Sequence, residues 1–412
     1  MPLLKCSCTS APLDRSPNRQ RKNRSVSQLP REKSTSGPAG GSATSASKMD
    51  PQPTQQQYQL LATIGRGCDG AAAVSVARDK KSGRLVTVKK VNLEDCPCSL
   101  AQLQNELIMQ RHIQHINVMP IDSSFIHHNQ LWTITPLMAY GSCLDLIHAH
   151  FREGLPELAI AYILRDVLSA LEYIHSRAVI HRGVRSSHIL ISKEGQVKLT
   201  GFRHAISTIV SGERRRVIHD FPSQYISNLL WASPEMLEQN LLGYDVKTDI
   251  YSVGIAACEL ANGEAPYSQV ASTQMLLDKL ENRTPLLLDA STVQDMQPED
   301  AIDPETEGKL TKEEKKEARA ISSRSFSAHF HQFVADCFIR DPQERPSASS
   351  LLQHPFIKQL RRRSVSLVPL PDMLRPVNPI TADTLPSSQG DSQLEELAME
   401  LDQVEVAEGW SF

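Results

Sequence analysis

An α+β fold of two lobes, β-rich on the N-terminal side and α-rich on the C-terminal side, with disordered tails, is what the sequence predicts. Three observations carry this. Between Tyr58 and Met138 the apolar stretches are short, extended and parted by turns. Beyond them the patterning lengthens into helical periods at 156–177 and 249–262. At both ends the composition is too polar to offset its ordering entropy by burial. Strands with one helix, then mostly helices, is the order of a segregated α+β domain.

Residues 1–57 are rich in Ser, Pro, Arg, Gln and Lys and read as a disordered N-terminal tail. "YQLLATIG", "AAAVSVARD" and "RLVTVKKVNL" then read as strands, with a turn at Lys81-Ser82-Gly83. "SLAQLQNELIMQRHI" has helical spacing, and Leu100, Leu103, Leu107, Ile108 and Ile113 are its predicted buried face. "QLWTITPLM" supplies a further strand. Residues 289–324 are charged and poor in apolar side chains, a solvated insertion with room for a short exposed helix. A packed helical pattern returns up to residue 357. The C-terminal tail, 358–412, is polar and Pro-rich, then acidic. The domain is therefore bounded at 58–357.

The formal net charge of −3 over 412 residues excludes a general nucleic-acid or membrane-surface binder. Eight Cys are scattered with no two C-x-x-C pairs, so no zinc site and no other metal centre is expected, and the thiols read as reduced. No apolar run approaches the ~18 residues of a membrane span. The opening "MPLLKCSCTS" lacks the apolar core of a signal peptide. A soluble protein of the cytoplasm and nucleus is expected, although Cys6 and Cys8 are open to acylation.

"IGRGCDGAAAV" contains G-x-G-x-x-G at Gly65, Gly67 and Gly70, with Ile64 and Arg66 beside them. It lies between strands, which excludes a dinucleotide-binding βαβ unit and suits a hairpin whose N–H groups approach phosphates. Glycines also mark any tight hairpin. "VTVK" places Lys89 on the next strand to face those phosphates, with Glu106 on the following helix as its partner. "HRGVRSSHIL" and "LTGFRHA" follow the frame of H-R-D-L-x-x-x-N and D-F-G. The whole set resembles a protein kinase. Gly183 stands where the catalytic Asp belongs, and His188 and Gly201 stand where the two metal ligands belong. Arg185 keeps a cation in the catalytic loop, and Arg203 offers a positive charge in partial place of the metal. Asp69 takes the usual aromatic place at the loop tip, and Ala72 that of the Val under the base.

The structural landmarks survive: "ASPE" at 232–235, "DIYSVGI" from Asp249, and "ERPSA", which sets Arg345 to pair with Glu235. Fold kept and chemistry lost is the pattern of a pseudokinase. "MAYGSCLDLI", "HRGVRSSHILIS", "GERRRVIHDFP", "DIYSVGIAACELANG" and "TQMLLDKL" resemble the STRAD pseudokinases (STE20-related adaptors), and the first residues look most like the beta form.

That resemblance implies an adaptor that grips a client, the tumour-suppressor Ser/Thr kinase liver kinase B, and favours its active state. It implies a client face on the pseudo-activation segment 203–231, with Arg214, Arg215 and Arg216 beside His219 and Phe221, a composition of interface hot spots. A solvated basic loop is the plain alternative. The chain ends "AEGWSF". Family tails end Trp-Glu-Phe and dock on a helical-repeat scaffold of the mouse-protein-twenty-five type, which implies that role for Trp410 and Phe412, with Ser411 in place of the Glu. ATP is expected as a structural ligand held without Mg²⁺. A weak, atypical kinase and a nucleotide-free scaffold are the competing readings. Ser25 in "RKNRSVS" and Ser364 in "RRRSVS" fit basophilic phosphorylation, against a default of solvated charge.

Overall fold

Alternating β-branched residues build the first lobe. In the computed structural model, which describes residues 54–68, 70–221, 226–239, 242–295, 323–362 and 370–374, five antiparallel strands form one sheet. They are β1 (Tyr58–Gly67), β2 (Ala72–Asp79), β3 (Leu85–Asn92), β4 (Ser123–His127) and β5 (Gln130–Pro136), in the order β1-β2-β3-β5-β4. Tyr58, Ala77, Val86, Val88, Trp132 and Ile134 are buried together on one face of the sheet. The β2–β3 turn is closed by Asp79, whose carboxylate accepts from the Ser82 hydroxyl at 2.6 Å.

The predicted helix is α1 (Leu100–His112). A capping box starts it: Ser99 Oγ accepts from the Gln102 N–H at 3.2 Å, and the Gln102 side chain accepts from the Ser99 N–H at 3.1 Å. Its buried face is only partly the one the apolar spacing predicts, since Leu103 and Ile113 are buried and Leu107 packs on the core. Leu103, Glu106 and Gln110 are buried, while Leu100 and Ile108 are 59% and 55% exposed. The helix turns polar side chains inward because it borders a polar cleft.

The second lobe is helical. It contains α2 (Cys143–His150), α3 (Glu157–Ser176), α4 (Pro234–Glu238), α5 (Lys247–Asn262) and α6 (Ser272–Leu280), then Ala328–Cys337 and Pro355–Arg362. Every residue of α5 from Thr248 to Ala261 is buried. At Gly254 a Cβ would lie 2.7 Å from the Phe338 ring, so only glycine admits that ring. The expected buried ion pair is present: Arg345 Nη1 donates to Glu235 Oε1 at 2.6 Å and Nη2 to Oε2 at 3.2 Å. Bidentate geometry of this kind fixes both partners.

Two boundary expectations change. The insertion does not leave the surface at residue 289. Asp289 is fully buried, accepting from the N–H groups of Ser291, Thr292 and Phe326. At the other end Arg324 donates to the Ala261 carbonyl at 3.0 Å. Residues 296–322 lie outside the described part. Nor is the stretch after 357 all tail, because Leu360, Leu370 and Leu374 are buried in the main core and the Tyr140 hydroxyl donates to the Pro371 carbonyl. Among the described residues no helix is long and apolar enough to cross a membrane.

Candidate functional site

The sheet and the helical lobe face each other across a cavity of about 180 Å³. Ile64, Val74, Thr87 and Leu190 give it apolar walls. Lys89 lies on β3 between Val74 and Thr133 in register, and its Nζ donates to Glu106 Oε1 at 2.8 Å. Burial works against the Lys89 ammonium, but the adjacent Glu106 carboxylate offsets it and holds its pKa above the ordinary value. The sequence placed both residues correctly.

The glycine-rich segment is only partly in the cleft. Ile64 and Gly67 line it; Gly65, Arg66 and Gly70 do not. Gly70 has φ +92 and closes the turn, with the Ala71 N–H donating to the Cys68 carbonyl at 3.2 Å. Asp69 lies outside the described residues. Ala72 is not the residue under the base. It packs with Val91, Leu103 and Leu131, and Val74 takes the lining position. The unbroken β2–β3 register, with Ala72 opposite Val91 and Val74 opposite Lys89, sets this arrangement, which no motif count could supply. The sequence also missed Cys68, Gln110, Thr133, Thr135, Met138 and Asp145 in the lining.

The floor holds the degenerate residues together. Asp249 accepts from the backbone N–H groups of His181 and Arg182, each at 2.8 Å, and fixes the loop. Gly183 contributes only its carbonyl, which accepts from His188 Nδ1 at 2.6 Å. Arg185 Nε donates to His188 Nε2 at 3.3 Å. Both bonds together require the neutral Nδ1–H tautomer. Burial and then the Arg185 charge push the His188 pKa well below its usual value. Gly201 has φ +85, and a Cβ there would lie 2.4 Å from His188 Nδ1. The imidazole thus fills the space a side chain at 201 would need. Arg203 lines the cleft, and its Nη1 donates to Cys98 Sγ at 2.7 Å.

Mg²⁺ takes oxygen ligands in octahedral geometry. Here neither metal position offers one, both nitrogens of His188 are engaged, and Glu106 is held by Lys89. The residues present do not fit Mg²⁺. They do fit a nucleotide, with apolar walls for a base and Lys89 for phosphate.

The buried histidines set a pH dependence. Burial pushes the His181 pKa down to about 4. The unfolded chain takes up this proton near 6.5 and the folded one only near 4, so stability is lost as pH falls through that window. The slope is about 1.4 kcal/mol per pH unit for each such histidine. Urea midpoints at pH 7.5 and 5.5 check this; equal values rule it out.

The protein kinase domain family matches residues 58–357. The STE20-related kinase adapter protein alpha of Homo sapiens is 46% identical over 366 residues, covering 86% of this chain and 84% of that protein. Its Gallus gallus counterpart is 47% identical over 344 residues, 80% and 87% of the two chains. The chain belongs to the STE20-related kinase adapter family. The Homo sapiens beta protein is 38% identical over 353 residues, 79% and 82% of the two chains. The likeness is therefore stronger to these alpha proteins, and the expectation of greatest similarity to the beta form is corrected.

In this adapter-family chain the pseudo-activation segment is tied to the helical lobe. Arg182 Nη1 donates to Asp220 Oδ2 at 3.2 Å and to the Tyr244 hydroxyl at 2.8 Å. In many kinases an added phosphate orders this segment through an arginine; here Asp220 supplies a built-in carboxylate. Arg215 and Arg216 are exposed. Arg214 is spent partly on the fold, donating to the His175 carbonyl at 2.9 Å. Phe221 is half-buried and packs on Tyr244, with ring centroids 5.6 Å apart. Exposed Ile209 and Val210, which the sequence reading passed over, add apolar surface beside the arginines. Trp410, Ser411 and Phe412 lie outside the described residues, as do Cys6, Cys8, Ser25 and Ser364.

Proposed function

We propose that this chain is a catalytically inactive pseudokinase that binds a Ser/Thr kinase client of the liver kinase B type and holds it in its active conformation. A helical-repeat scaffold of the mouse-protein-twenty-five type completes the complex through Trp410 and Phe412, and the assembly promotes a cytoplasmic location for the client. The observation that carries this reading is the His188–Gly201 contact, in which an imidazole occupies the metal-ligand space while the loop anchors and the Glu235–Arg345 pair remain intact. A fold kept in register without its metal ligands is suited to binding. Full reversal of a 1:99 client equilibrium requires about 5.5 kcal/mol of preference for the active state. Arg215, Arg216, Ile209 and Val210 are the surface that supplies part of it.

Reconstitution tests it. Client phosphorylation rises when the full chain and scaffold are added, and falls back when Trp410 and Phe412 are both replaced by Ala. A client rate indifferent to the chain refutes the reading. Phosphoryl transfer by the chain alone, lost in Lys89→Met, would restore the weak-kinase alternative.

ATP acts in this reading as a structural ligand without Mg²⁺. At a hundredfold excess over its Kd, ATP stabilises the folded state by about 2.7 kcal/mol. The melting temperature therefore rises with ATP, the rise survives EDTA, and Lys89→Met removes it. No rise in either condition favours the nucleotide-free scaffold.

A further inference from the structure

The six described thiols fall into two groups. Cys143, Cys258 and Cys337 are buried in the helical lobe, where burial pushes each thiol up and leaves it inert. Cys68, Cys96 and Cys98 are only half-buried, and they gather where the β1–β2 turn meets the start of α1. Cys68 is the turn residue that lines the cleft, in the left-handed region at φ +53. Cys98 directly precedes the Ser99 cap of α1. Cys68 and Cys98 pack against the same small cluster of Ala72, Val91, Leu103 and Leu131, and each thiol shifts the pKa of the other. Arg203 Nη1 donates to Cys98 Sγ at 2.7 Å. The third thiol is turned to another job, since Cys96 Sγ accepts from the Cys98 backbone N–H at 3.3 Å.

We infer that Cys68 and Cys98 form a peroxide-responsive dithiol whose oxidation to a disulfide pins the glycine-rich turn to the start of α1. The two partners are not equivalent. The neighbouring Cys68 thiol, followed by the Arg203 guanidinium, holds Cys98 below its ordinary pKa despite partial burial. The Cys98 thiol, together with burial, holds Cys68 above its own. With the Arg203 guanidinium 2.7 Å from its sulfur, Cys98 is the nucleophile and Cys68 the resolving thiol.

The chemistry balances in two steps. Cys98 thiolate attacks hydrogen peroxide; an S–O bond forms, the O–O bond breaks, and hydroxide leaves. Cys68 sulfur then attacks the sulfenic sulfur; an S–S bond forms, the S–O bond breaks, and the second oxygen leaves as water with the thiol proton. Net, two thiols and one peroxide give one disulfide and two waters. A dithiol reductant returns the pair to its starting state.

Cys68 lines the cleft and Cys98 lies against Arg203, which also lines it, so the bond would tie the turn to an element in contact with the cleft wall. The link between the thiols stands whether or not the cleft takes nucleotide.

The test uses the reduced full-length chain, treated with equimolar hydrogen peroxide and mapped without reduction. A Cys68–Cys98 linked peptide is expected, with fragmentation at Pro97 distinguishing Cys98 from Cys96, and dithiothreitol removes it. Cys96→Ser retains the link and Cys98→Ser loses it. Iodoacetamide labelling of Cys98 at pH 7 slows in Arg203→Met, because loss of the adjacent cation lowers the thiolate fraction. A Cys96–Cys98 link, over-oxidised Cys98 beside a free Cys68, or eight unmodified thiols each overturns the proposal. The wild-type map decides alone where a variant fails to fold.

Discussion

Replacing Gly201 by Asp, which restores a carboxylate at the metal position, lowers stability by about 3–5 kcal/mol and does not restore catalysis. Two costs add. Gly201 has φ +85, and an L-residue held there costs about 1–2 kcal/mol. The new Cβ would also lie 2.4 Å from His188 Nδ1, well inside contact distance. The imidazole has little freedom to retreat, because Nδ1 is bonded to the Gly183 carbonyl and Nε2 accepts from Arg185. Forcing it out leaves the Gly183 carbonyl unpaired and an Asp carboxylate in a buried floor. The double variant Gly201→Asp/His188→Ala removes the colliding atoms and recovers part of the loss, a coupling that a double-mutant cycle measures. Urea unfolding checks both. A single variant as stable as the native chain would falsify the mutual exclusion of the two side chains. The loss of the metal site is thus more than a missing ligand, since the second substitution occupies the space left by the first.

What could be read from the sequence followed from how local each signal is. The Lys89–Glu106 and Glu235–Arg345 pairs sit at fixed steps within short motifs, and the structure brings each to its expected partner. Four of the five sheet strands and the long buried helices follow from period alone, whereas β4 and the strand order do not. The buried face of α1 follows only in part, because apolar spacing assumes an apolar neighbour, and this helix faces a cleft with Glu106 and Gln110. The lining role of Val74 rather than Ala72 depends on the β2–β3 register, which sets Val74 opposite Lys89. Leu370 and Leu374 carry too short a pattern to reveal that the chain returns to the core beyond residue 357. The His188–Gly201 contact joins two loops, so each departure was visible alone and their complementarity was not.

Lys279→Met is expected to cost about 3–5 kcal/mol and to abolish client activation while sparing the ATP-dependent thermal shift. Lys279 on α6 is 1% exposed, an unusual place for a lysine. Its Nζ donates to the carbonyls of Leu230 at 2.6 Å, Ala232 at 2.7 Å and Leu229 at 3.4 Å. The Tyr251 and Tyr267 rings stand 5.4 and 5.3 Å away, so the ammonium is also held over aromatic faces. Three carbonyls converging on one ammonium match its three donors. Met keeps the length and removes all three, leaving buried acceptors at about 1–3 kcal/mol each, partly relieved by local opening. The opening falls on residues 229–232, at the end of the pseudo-activation segment. Glu259 holds the same segment from the other side, accepting from the Trp231 indole at 3.0 Å and the Ser186 hydroxyl at 2.6 Å. Neither contact reaches Lys89 or the apolar walls of the cleft. Hydrogen exchange should therefore rise at 229–232 in Lys279→Met and stay unchanged on β3 and α1. Unchanged exchange at 229–232 would show that the lysine does not hold the segment. Loss of client activation with an intact ATP shift would separate the two faces of the molecule, a cleft that shapes the fold and a segment that meets the partner.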